Sequence, residues 1–111
     1  MEPITIIKKA IEKLKLKDVC IYNMKQITPF FDYAIVATAN SQRQMFGSIN
    51  FILEEGQSHN LNCLGIEGKK DGYWILIDFN EIVIHIFTKE ERERFALDKL
   101  WKDLFLEKLP D

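Results

Sequence analysis

Two apolar runs, Trp74–Phe79 and Ile82–Phe87, stand two residues apart, with only Asn80 and Glu81 between them. That spacing predicts a β-hairpin with a two-residue turn, where Asn tolerates the positive φ required. Antiparallel pairing sets Phe79 opposite Ile82, Ile77 opposite Ile84 and Ile75 opposite Ile86. Strand side chains alternate, so this set forms a wholly apolar face expected to lie on the main core. The other face carries Trp74, Leu76 and Asp78 beside Val83, His85 and Phe87. Register places Trp74 across from Phe87, and Asp78 diagonal to His85 within side-chain reach. The second face is chemically particular, and function is expected there.

The rest of the chain follows the same logic. Ile4, Ile7, Ile11 and Leu14 recur at helical spacing after Pro3, with Lys8, Lys9, Glu12, Lys13 and Lys15 on the other side. This predicts an amphipathic helix of about four turns, ended by Asp18. Val19–Met24 reads as a short strand, Thr28-Pro29 as a turn, and Tyr33–Thr38 as a strand covered on both faces. Ser41 and Gln44 fit a capping box before a helix that buries Met45, Ile49, Ile52 and Leu53 and frays near Gly56. After a polar loop over 57–60, Leu61–Ile66 reads as a strand and Lys69-Lys70-Asp71-Gly72 as a turn. Thr88 and Glu91 form a second capping box, opening a charged helix that carries Phe95, Leu97, Leu100 and Trp101. Leu104–Leu109 is expected to be a short apolar tail. The order of helix, two strands, helix, three strands and helix predicts an α/β (α+β) fold, a mixed sheet of about five strands with helices packed on it.

Length and charge narrow the reading. The 111 residues make one domain, large enough for a core without disulfide or metal staples. A net charge of −2 makes attraction to nucleic acid phosphate a secondary matter. The charge is uneven, since residues 1–25 hold six lysines against three acids and the remainder is acidic. A solvated helix face is the ordinary explanation. Lys8, Lys9, Lys13 and Lys15 are the candidates for an auxiliary contact with RNA. Cys20 and Cys63 lie apart, without metal-ligand spacing, and read as reduced, buried residues. No signal peptide or membrane span is apparent, and the expected location is the cytoplasm.

His85 with Asp78 would be the natural general-base pair, but no nucleophile motif accompanies it. A nucleotide- or metal-dependent transferase is the alternative from another class. Nucleotidyltransferases place a Gly-Ser turn before paired aspartates, whereas Gly47-Ser48 falls in mid-helix here and no such pair follows. The reading is therefore of a non-enzyme with no catalytic residue, metal or cofactor. Aromatics on strands are usually core, yet the hairpin's first face already supplies six large apolar groups to the core. Trp74 and Phe87 beside Asp78 and His85 read as a protein-docking patch, with Trp74 partly exposed.

The residues also resemble the Iojap family, or ribosomal silencing factors, over roughly residues 18 to 103. The likeness rests on Phe31-Asp32-Tyr33 leading into Ile35-Val36-Ala37-Thr38, then Asn40-Ser41-Gln42-Arg43-Gln44. It continues through Leu64-Gly65-Ile66-Glu67-Gly68, Gly72-Tyr73-Trp74, Leu76-Ile77-Asp78-Phe79 and Val83-Ile84-His85-Ile86-Phe87. It ends with Glu91-Arg92-Glu93 and Leu97-Asp98-Lys99-Leu100-Trp101. Phe31, Ala39 and the pair Arg94-Phe95 depart from the family pattern. The resemblance implies a nucleotidyltransferase-like fold without its catalytic residues. It also implies a translation repressor that binds the large ribosomal subunit through the large-subunit protein numbered fourteen and blocks joining of the small subunit. Free members are often homodimers, and organelle members assist large-subunit assembly. Carried over by position, Glu67, Trp74, Asp78, His85, Phe87 and Arg92 are the expected docking residues. Arg92 is expected to pair with Glu67 or Asp78, or to dock directly. Phe79 matches the family too, but alternation puts it on the core face.

Overall fold

The computed structural model describes residues 1–68 and 72–111. The expected turn over 69–71 therefore lies outside the described residues. Strands β1 (Lys17–Asn23), β2 (Tyr33–Thr38), β3 (Gly65–Glu67), β4 (Trp74–Asp78), β5 (Ile82–Phe87) and β6 (Phe105–Lys108) form one sheet. Their spatial order is β3-β4-β5-β2-β1-β6. β2 and β5 run parallel at the centre, and every other pairing is antiparallel.

The hairpin forms in the predicted register, with Ile75 opposite Ile86 and Ile77 opposite Ile84. Asn80 takes φ 75, and the Phe79 N–H donates to the Ile82 carbonyl at 2.9 Å to close the turn. Helices α1 (Pro3–Glu12) and α2 (Gln42–Ser58) cover the apolar face, where Ile7, Ile11, Met45, Ile49 and Ile52 meet the hairpin isoleucines. A smaller cluster on the opposite face joins Tyr22, Met24, Ala34, Val36 and Phe87 under α4 (Leu97–Leu100) and Trp101. β2 is buried on both sides because it runs between these two clusters.

Several expectations are corrected. The sheet has six strands rather than five, because the apolar tail adds β6 to the edge of β1, with Ile21 opposite Glu107. A four-residue segment carries too little periodicity to announce itself, and the open edge of β1 decides its conformation. α1 stops at Glu12, and Asp18 sits inside β1 with φ 49, where the register against β2 shifts. β3 is shorter and later than Leu61–Ile66. α2 does not fray at Gly56, which is buried against Phe79. A Cβ there would lie 3.0 Å from the Phe79 ring, so glycine serves close packing. Ser41 Oγ accepts from the Gln44 N–H at 3.0 Å as predicted, while Gln44 Oε1 accepts from the N–H of Asn40. The last helix divides at Ala96 (φ 54) into α3 (Lys89–Phe95) and α4. Both cysteines are half-buried rather than buried.

Candidate functional site

Strand register builds the second face in rows. Glu67, Leu76, His85 and Val36 stand side by side across β3, β4, β5 and β2. Gly65, Asp78, Val83 and Ala34 form the next row, and Trp74, Phe87 and Thr38 a third. Leu97 and Trp101 wall this floor on one side, and Phe30, Phe31 and Leu64 stand at its other margins, enclosing a groove of about 720 Å³. Phe30 is 81% and Leu64 63% exposed, an unusual cost for side chains of this size unless something covers them. Glu67 and Asp78 line the groove, and none of its described lining residues is Lys or Arg.

Trp74 is half-buried, stacked on Phe95 with ring centroids 5.9 Å apart, and donates from Nε1 to His85 Nδ1 at 3.4 Å. With Nδ1 accepting, the imidazole proton belongs on Nε2. Burial pushes the His85 pKa down to about 4, so the ring is neutral at ordinary pH. It lies parallel to Phe87 at 6.0 Å and tilted against Trp101 at 6.0 Å. It therefore acts as an aromatic plate in the floor. Asp78 does not serve it as a general-base partner. Its Oδ1 accepts from the Asn80 N–H at 2.8 Å and fixes the hairpin turn. Gly68 turns the chain beside Trp74 at φ 80, where a Cβ would fall 2.3 Å from the Trp74 carbonyl oxygen. Only glycine fits there.

Not every expected residue reaches the groove. Glu67, Asp78 and His85 line it, and Trp74 adjoins it in the neighbouring row. Phe87 is 1% exposed, covered by Phe95 at 5.3 Å and by His85, so it supports the floor from within. Arg92 pairs with neither Glu67 nor Asp78. Its Nε donates to Asp98 Oδ2 at 2.9 Å, and Nη2 donates to Asp98 Oδ1 at 3.0 Å. On α1 and just after it, Lys8 pairs with Glu107 and Lys13 with Glu55, while Lys9 and Lys15 are exposed. The sequence placed Leu97 and Trp101 on a helix without assigning them to the site, and Phe31, noted only for the resemblance, was not assigned to it either, nor was Phe30. Two adjacent phenylalanines in a proline turn were the available signal.

Among the described residues, no three His, Cys, Asp or Glu side chains are grouped to hold a metal ion. None of the described helices is long and apolar enough to cross a membrane.

Residues 1–111 match the family described as "Ribosomal silencing factor during starvation". The chain is 31% identical over 94 residues to the ribosomal silencing factor RsfS of Halalkalibacterium halodurans, covering 85% of this chain and 80% of that protein. It is 28% identical over 90 residues to the mouse protein named mitochondrial assembly of ribosomal large subunit protein 1, covering 77% of this chain and 39% of that one. A crystal structure of a Chromobacterium violaceum protein superposes with a TM-score of 0.85 at 27% identity, covering 100% of this chain and 92% of that one. The mixed sheet, its covering helices and the full-length family match lead to one assignment: this chain belongs to the ribosomal silencing factor, or Iojap, family.

Proposed function

We propose that this protein represses translation by docking on the large ribosomal subunit through the large-subunit protein numbered fourteen. The bound protein then blocks joining of the small subunit by occupying the space it needs. The observation that carries this reading is the groove itself: large exposed apolar side chains beside Glu67 and Asp78, with no lining cation among its described residues. Desolvated apolar groups supply affinity, and carboxylates steer a basic ribosomal-protein surface and set its register. Trp74, Glu67, Asp78 and His85 are the docking residues, and Phe87 acts beneath them. The mechanism is steric exclusion in the cytoplasm, with no turnover and no cofactor. Lys9 and Lys15 extend the contact to ribosomal RNA, since Lys8 and Lys13 have acidic partners within the chain. A homodimer of the free protein would compete with docking if it covered the same face.

Co-sedimentation with purified large subunits, with and without small subunits, tests the proposal. The protein should travel with large subunits and suppress their joining. Absence from the large-subunit fraction at low salt would defeat the reading.

A further inference from the structure

α3 and α4 contain no fully buried residue and have only seven and four residues. Helices this short do not hold together without tertiary support. Between them Ala96 takes a left-handed conformation, an additional expense for a residue with a Cβ. Yet this segment supplies Leu97 and Trp101, one wall of the docking groove. Something must hold it in place.

A single half-buried guanidinium ties the segment down. The Arg92 side chain is 12% exposed. Besides its two bonds to Asp98, Nη1 donates to Thr38 Oγ1 at 2.9 Å and to the Asp18 carbonyl at 2.6 Å. Tyr22 completes the set, its hydroxyl donating to Asp98 Oδ1 at 2.5 Å. The bonds therefore join α3 and α4 to β1 and β2. Burial pushes the Asp98 carboxyl pKa up, but the hydrogen bonds from Arg92 and Tyr22 outweigh it and leave the carboxyl below its ordinary range. The geometry also runs directly to the groove. Asp98 follows Leu97 in sequence, and the Tyr22 ring that holds Asp98 by its hydroxyl meets Trp101 edge-on at 5.8 Å.

We propose that Arg92, Asp98 and Tyr22 are positioning residues that lock α4 onto the sheet and so set the Leu97/Trp101 wall of the docking groove. The inference rests on the docking reading for its functional consequence but not for its structural one. The main core lies on the opposite face of the sheet, so the lock can open without dissolving it.

Amide hydrogen exchange and large-subunit co-sedimentation, applied to the same full-length variants, test this. Arg92→Ala and Asp98→Ala should speed exchange over residues 97–101 on the order of tenfold while leaving 82–87 protected. Each should weaken large-subunit binding by a similar factor, and the double variant should be little worse than either single one. Arg92→Lys keeps the charge but lacks the planar fork, and should resemble Arg92→Ala. Tyr22→Phe retains the ring and removes one bond, so a smaller change in the same direction is expected. Unchanged exchange over 97–101 overturns the lock, as does wild-type behaviour of Arg92→Lys. Lost protection over 82–87 would make Arg92 a general folding residue and overturn its positioning role. Faster exchange with unaltered binding would overturn the link to the groove. If the wild-type protein itself fails to sediment with large subunits, the docking reading falls, while exchange still decides the lock.

Discussion

Trp74→Ala separates docking from folding most sharply. In the folded chain this indole is half-buried, stacks on Phe95 at 5.9 Å and donates to His85 Nδ1 at 3.4 Å. Truncating a fully buried Trp or Phe costs about 3–5 kcal/mol. Trp74 keeps part of its surface in solvent, its hydrogen bond is at the long limit, and the stack is worth about 0.5–1.5 kcal/mol. We therefore expect a stability loss of about 2 kcal/mol, less than the roughly 5–15 kcal/mol by which folded proteins are typically stable. As a docking anchor the same indole would contribute at least about 2 kcal/mol to binding, close to a 30-fold weakening on removal. Urea denaturation should show a lower midpoint with an unchanged slope, and titration of large subunits the loss of affinity. Phe87→Leu is the internal contrast. Phe87 is buried, so its replacement should lower the midpoint while affecting affinity much less. Wild-type affinity in Trp74→Ala, with the expected fall in midpoint, would refute Trp74 as an anchor. Equal losses of affinity in both variants would show that general loosening, not contact, accounts for the effect.

Three further outcomes are expected. The His85 pKa falls from an ordinary 6.5 to about 4 on folding, so the unfolded chain takes up the proton first as pH drops. Its stability contribution is intact above about pH 6.5 and is lost towards pH 4, by about 3 kcal/mol in all. His85→Phe should flatten this part of the pH profile, and parallel profiles for the two proteins would contradict it. Reversing Glu67 and Asp78 to lysine should slow association with large subunits and weaken its salt dependence, as stopped-flow mixing can show. An unchanged association rate would place the steering charge elsewhere. Ser41→Ala should cost about 1 kcal/mol in urea denaturation, because its Oγ caps the Gln44 N–H at the start of α2. No loss would mean that Gln44, bonded to the Asn40 N–H and the Lys15 carbonyl, suffices to start the helix.

The hairpin was legible in the sequence because local alternation and a two-residue gap determine its register, faces and turn. The same local rules determined the starts of α2 and α3, where Ser41 and Thr88 each accept from an N–H three residues on. Trp74, Asp78, His85 and Phe87 were legible as neighbours on one face, since register follows from period two. Glu67 joined them only through the resemblance, and the pairing of β3 with β4 sets it in the row of His85. What lay beyond reach depends on contacts between distant segments. β6 exists because β1 has an edge to offer, and its own residues carry no comparable signal. Phe87 looked like an anchor until α3 placed Phe95 over it. Arg92 was expected to seek Glu67 or Asp78, but the left-handed turn at Ala96 brings Asp98 within 2.9 Å of it. The groove wall of Leu97 and Trp101 has the same origin. Periodicity specifies which side chains share a face of one element, whereas only tertiary packing decides what covers that face and what remains open to a partner.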